Sequence, residues 1–125
     1  MEQRTRTLLA VTAVVEGATG LVLLALPSRL ATLLLGAPLD TPAELTLARV
    51  AGVALVALGV ACWLARHDGQ SRAARGLVWG MFSYNAGVAI VFAWAALGLA
   101  LSGIGLWPAV LAHAVMTVWC VVALR

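Results

Sequence analysis

The chain has 125 residues, of which 63% are AVILMFWYC and 10% charged, with a formal charge of +3 and a mean hydropathy of +1.03. That length holds one domain, and long windows almost free of charge place it in a bilayer, not in water. All eight basic residues are Arg, and the seven other than Arg49 are spread over loops and ends with no aromatic interleaving, so no nucleic-acid partner is expected.

In chain order, the first expected span is 8–26. Arg4 and Arg6 ahead of it resemble a secretory leader, but Glu16 interrupts the apolar run and no clear small-x-small cleavage site follows, so the span reads as retained. Pro27 and Ser28 end it. Ser28 is a candidate cap for a short interfacial or re-entrant helix over 29–35, stopped by Gly36 and Pro38 and too short to cross. Thr41-Pro42-Ala43-Glu44 is a capping box with Pro at the first helical position, and it opens the second span, 43–65. A strongly polar loop follows from Arg66 to Arg75. The third span is 76–99, the turn Ser102-Gly103-Ile104-Gly105 is uncharged, and the fourth span is 107–124.

The expected fold class is therefore all-α: a polytopic membrane protein with four transmembrane helices running up-down-up-down. With the N-terminus inside, Arg4, Arg6, Arg66, Arg72, Arg75 and Arg125 fall on the cytoplasmic side and Arg29 alone on the outer side. This Arg bias sets both termini in the cytoplasm, and Trp63, Trp79, Trp94 and Trp107 fall toward span ends as an aromatic belt does. The Lys-free, Ala- and Arg-rich composition fits a GC-rich bacterium, so the expected location is a bacterial inner (plasma) membrane. Gly76 and Gly80 form GxxxG, extended by Ser83 and Gly87. Ala13, Gly17 and Gly20 give span one a small face, and Ala48, Gly52 and Gly59 do so for span two. Such faces let helix backbones approach. Cys62 and Cys120 lack metal-ligand or CxxC spacing and read as small buried hydrophobes.

Each span carries one strong polar residue near its middle: Glu16, Arg49, Asn85 and His113. At about 1.5 Å rise per residue, Glu16 lies within about 2 Å of its span's midpoint, Asn85 and His113 about 4 Å to either side, and Arg49 roughly 8 Å outward. Ionisable groups in a span are costly unless paired or turned to the protein interior. The expectation is a Glu16–Arg49 ion pair supported by Asn85, His113 and Tyr84, with Thr12, Thr19, Ser83 and Thr117 able to extend the network. Such a cluster serves in three ways: to fix helix pairing and register, to line a pocket for a small polar-headed or quinone-like ligand, or to pass protons.

The first span Ala13-Val-Val-Glu16-Gly-Ala-Thr-Gly20, the short helix after Pro27, Ala48-Arg49-Val-Ala-Gly52, Ser83-Tyr84-Asn85 and Leu111-Ala-His113 together resemble the layout of the DoxX-like small bacterial four-helix membrane proteins. That resemblance covers nearly the whole chain in layout and implies a role as helper or subunit beside a quinone-linked membrane redox system. Small multidrug-resistance transporters share the span number and a Glu in the first span. Arg49, as a neutralising partner for Glu16, argues against their cation site.

No GxSxG, HExxH, P-loop or dinucleotide motif occurs. The expected role is a non-enzymatic accessory or ligand-binding membrane protein without cofactor or metal, partnered or self-associated. A small proton-coupled transporter, or a helper subunit of a quinone-linked membrane redox system, is the alternative.

Overall fold

The computed structural model describes residues 2–69 and 71–125. Gln70, part of the polar loop, lies outside the described residues. Five helices follow in order: α1 (Glu2–Ala25), α2 (Pro27–Leu35), α3 (Pro42–Ala65), α4 (Arg72–Gly98) and α5 (Leu106–Leu124). Among the described residues there is no strand. α1, α3, α4 and α5 are long and apolar enough to cross a membrane.

The helix ends follow from local chemistry. Thr41 and Glu44 form the expected capping box: the Thr41 hydroxyl accepts from the Glu44 N–H at 3.2 Å, and Glu44 Oε2 accepts from the Thr41 N–H at 2.9 Å. α4 starts a turn earlier than expected. Ser71 Oγ accepts from the Ala74 N–H at 3.0 Å and caps a helix whose first residue is Arg72. Two arginines in a first helical turn look like loop by composition, yet the cap overrides them. α2 also starts earlier, at Pro27, and Ser28 is not its cap. Proline at the first helical position presets φ and needs no N–H partner. The Ser28 hydroxyl instead accepts from the Leu39 N–H at 3.0 Å and folds the following segment back over α2. Gly36 closes α2 at φ +74°, and its N–H returns to the Thr32 carbonyl. Gly105 N–H donates to the Leu33 carbonyl at 2.8 Å, so the α4–α5 turn braces the end of α2.

The long helices pack as two pairs. α1 lies along α3 and α4 along α5, whereas α3 and α4 barely touch. In the α1–α3 seam, glycine meets backbone. A Cβ on Gly52 would lie 2.9 Å from the Gly20 carbonyl oxygen, and one on Gly59 would lie 2.9 Å from that of Ala13. This is the small-face contact expected of those two spans. The expected contact at Gly76 and Gly80 is not made within the chain. Both are exposed, and a Cβ on either would meet nothing within 4 Å.

The two pairs join at one end. Leu8, Leu9 and Ala13 of α1, Cys62 of α3, Val78 and Met81 of α4, and Cys120 and Ala123 of α5 form one buried cluster. Both cysteines are thus buried free thiols. Farther along the pairs a cavity lies between them, and α2 contributes to its wall.

Candidate functional site

Where the pairs part, the core gives way to a cavity of about 740 Å³. Its wall is almost wholly aliphatic, with α2 contributing Leu30, Leu34 and Leu35, and Phe92 adding a ring. Among the described residues, no Asp, Glu, Lys or Arg lines it. The polar atoms at its wall come from Thr19, Ser83, Tyr84 and His113. A space of this size with few polar groups has the proportions of a small-molecule site.

The polar residues behind that wall are placed by helix periodicity. On α1 the buried residues are Thr5, Leu8, Leu9, Thr12, Ala13, Glu16 and Gly20, a stripe at three- and four-residue spacing. On α4 the stripe is Ala74, Val78, Met81 and Asn85. Glu16, 4% exposed, meets Tyr84, whose hydroxyl donates to Glu16 Oε2 at 3.2 Å. This bond ties the α1–α3 pair to the α4–α5 pair at the depth where they begin to separate. Asn85 Nδ2 donates to the Met81 carbonyl at 2.8 Å, and Asn85 Oδ1 lies 2.8 Å from His113 Nδ1. The Tyr84 and His113 rings meet edge to face at 5.7 Å, and Phe92 lies edge-on to the imidazole at 6.1 Å. Thr117 donates to the His113 carbonyl at 2.8 Å. Four of the five expected cluster residues, Glu16, Tyr84, Asn85 and His113, are thus brought together.

Arg49 is not among them, and the expected Glu16–Arg49 ion pair is not formed. Arg49 is exposed, and its Nε donates to the Leu24 carbonyl at 3.4 Å. Leu24 lies eight residues beyond Glu16, roughly 12 Å along the helix. The cause is the break between α1 and α2. Helix ends leave carbonyls without intrahelical donors, and Pro27 brings no N–H to the end of α1. Gly52, three residues past Arg49, packs against Gly20 and Leu24. The guanidinium therefore reaches the freed end of α1 and not the carboxyl two turns away. Arg49 therefore does not neutralise Glu16 and does not by itself exclude a cation site. A different observation argues against one: Glu16 is not among the residues lining the cavity.

Thr12, one turn from Glu16 on the same stripe, is fully buried, and its hydroxyl has no hydrogen-bond partner among the described residues. Thr7, Thr32, Thr46, Ser83 and Thr117 all donate to the carbonyl four residues back. Among the described residues no group of three or more His, Cys, Asp or Glu could hold a metal ion. A pocket is one of the three roles expected of the polar cluster; the largely apolar wall and the contribution of α2 to it are not expected from the sequence. The signal available was the short amphipathic helix placed between two spans, whose apolar face needs something to cover.

In comparisons with known proteins, no family model, curated protein or solved structure matches this chain.

Proposed function

We propose that the chain is a non-enzymatic membrane protein that binds a small, largely apolar molecule with a polar head between its two helix pairs. The observation that carries this reading is the cavity of about 740 Å³ with Tyr84 and His113 at its wall. A bundle that used its polar residues only to fix register would have no need to turn Tyr84 and His113 onto the wall of that space. Glu16 and Asn85 serve as supports, holding the Tyr84 hydroxyl and the His113 ring.

In this proposal the helices run up-down-up-down across a bacterial plasma membrane with both termini in the cytoplasm, on the strength of the arginine bias. The layout shared with the DoxX-like proteins favours an accessory role beside a membrane redox system. Exposed Gly76 and Gly80 leave a small-residue face on α4 for a second copy or a partner membrane protein.

The test is native mass spectrometry after gentle extraction, with wild type beside Gly87→Leu. Gly87 lines the cavity, and a Cβ there meets nothing within 4 Å, so the larger side chain fills space without striking the backbone. The expected result is a small molecule retained by wild type and lost from the folded variant. A wild-type protein that carries nothing, and takes up nothing when offered a lipid extract, would sink the proposal.

A further inference from the structure

The hydrogen bonds around the cavity restrict what its occupant must bring. Asn85 is the starting point. Its Nδ2 faces the Met81 carbonyl at 2.8 Å, and a carbonyl only accepts, so the amide orientation is determined. Oδ1 therefore faces His113 Nδ1 at 2.8 Å, and an amide oxygen likewise only accepts. Nδ1 must carry the proton. The ring has no carboxylate partner among its hydrogen bonds, and an unpaired imidazolium in this apolar setting would be a costly buried charge. The imidazole is then neutral, with the proton on Nδ1 and a bare lone pair on Nε2.

The other polar groups at the wall point to the same conclusion. The Tyr84 hydroxyl proton is spent on Glu16, and the Ser83 hydroxyl proton is spent on the Trp79 carbonyl at 3.1 Å. Each oxygen keeps lone pairs for accepting. Only Thr19 has a hydroxyl proton uncommitted among the hydrogen bonds described, so the wall is rich in acceptors and poor in donors. With no charged side chain among the described lining residues, neither a phosphate nor an ammonium group finds a counter-ion there.

We infer that the cavity takes an uncharged amphiphile whose head is a hydroxyl, donating its proton to His113 Nε2 beside Tyr84, with its apolar body against α2. The inference rests on the binding role proposed above and names the ligand class. A head offering only carbonyl or ether oxygens would set lone pair against lone pair. A buried polar atom left unsatisfied in that way weakens binding by roughly ten-fold or more.

The experiment compares 4-octylphenol with its methyl ether, 4-octylanisole, on the full chain in nanodiscs. The two probes share a body and differ in the donor. Binding is followed by ¹⁵N-histidine spectra in a His67→Gln background, which leaves His113 as the one imidazole and reports its tautomer directly. The expected results are a proton on Nδ1 before addition, the phenol bound roughly ten-fold or more tighter than the ether, and an Nε2 shift with the phenol alone. In Asn85→Leu the ring is free to move its proton to Nε2, and the preference should collapse or reverse. Equal binding of the two probes by wild type, or a proton on Nε2, overturns the donor inference and leaves the binding role standing. Failure of a folded protein to bind either probe overturns the donor inference, and the lipid-extract experiment above then decides the binding role. If Asn85→Leu does not fold, the wild-type ratio and tautomer still decide.

Discussion

The α1–α3 seam and the exposed face of α4 carry the same kind of small-residue spacing and meet opposite fates. Gly20, Gly52 and Gly59 sit against the backbone of the facing helix, whereas a Cβ on Gly76 or Gly80 would meet nothing within 4 Å among the described residues. The difference lies in what flanks each stripe. Gly20 and Gly52 alternate along the seam with Leu24 and Val56, whose side chains close over the crossing. The α4 glycines neighbour Trp79, which is exposed, and the buried stripe of α4 through Val78, Met81 and Asn85 turns toward α5 and the shared core. Small residues permit close approach; the apolar residues beside them determine whether it happens.

That comparison breaks most sharply at Gly52. Gly52→Leu drives a side chain into the Gly20 carbonyl and should cost about 3 kcal/mol or more, seen as loss of folded protein in a denaturation titration. The link between the helix pairs comes next. Tyr84→Phe removes the donor to a buried carboxyl and should cost about 1–3 kcal/mol. Adding Glu16→Leu should recover part of that loss, because no polar group is then stranded. Arg49→Met should cost less, about 1 kcal/mol or below, for a long hydrogen bond at an exposed site. Combined with Glu16→Gln, it should be additive within about 0.5 kcal/mol, and strong coupling would restore the ion pair that the geometry denies. Gly80→Ala should change stability by about 0.5 kcal/mol at most, in contrast with Gly52; a larger loss would reveal a partner on that face. Thr12→Val should be near neutral or slightly stabilising, since the buried hydroxyl forfeits no bond and the shape is kept.

Much of this fold is legible before any coordinate. The four apolar runs, the capping box at Thr41 and the glycine faces of α1 and α3 each rest on local chemistry that a single sequence exposes. Glu16, Tyr84, Asn85 and His113 could be grouped because depth along a helix follows from counting residues. Arg49 could not be placed by counting. Its position depends on a carbonyl freed by the α1–α2 break, and that partner is backbone, which no residue type announces. Ser28 escaped for a similar reason: its partner is the N–H of Leu39, on the far side of α2 in sequence. A pocket could be expected beside the polar cluster, but not its volume or the part of α2 in its wall, because volume arises from how helix pairs diverge, and periodicity within one helix carries no information about the angle to another.

The near absence of contact between α3 and α4 carries a further consequence. In a bilayer such a gap would face acyl chains, and an occupant of the proposed site that came through it would arrive sideways, from the lipid. Its effective concentration is then its mole fraction in the membrane, not its concentration in water. An amphiphile that partitions strongly is already abundant there, and a protein sampling it needs only a weak intrinsic affinity to stay occupied. Occupancy would then follow membrane composition, and dilution of the lipid would empty the cavity as surely as removing the ligand.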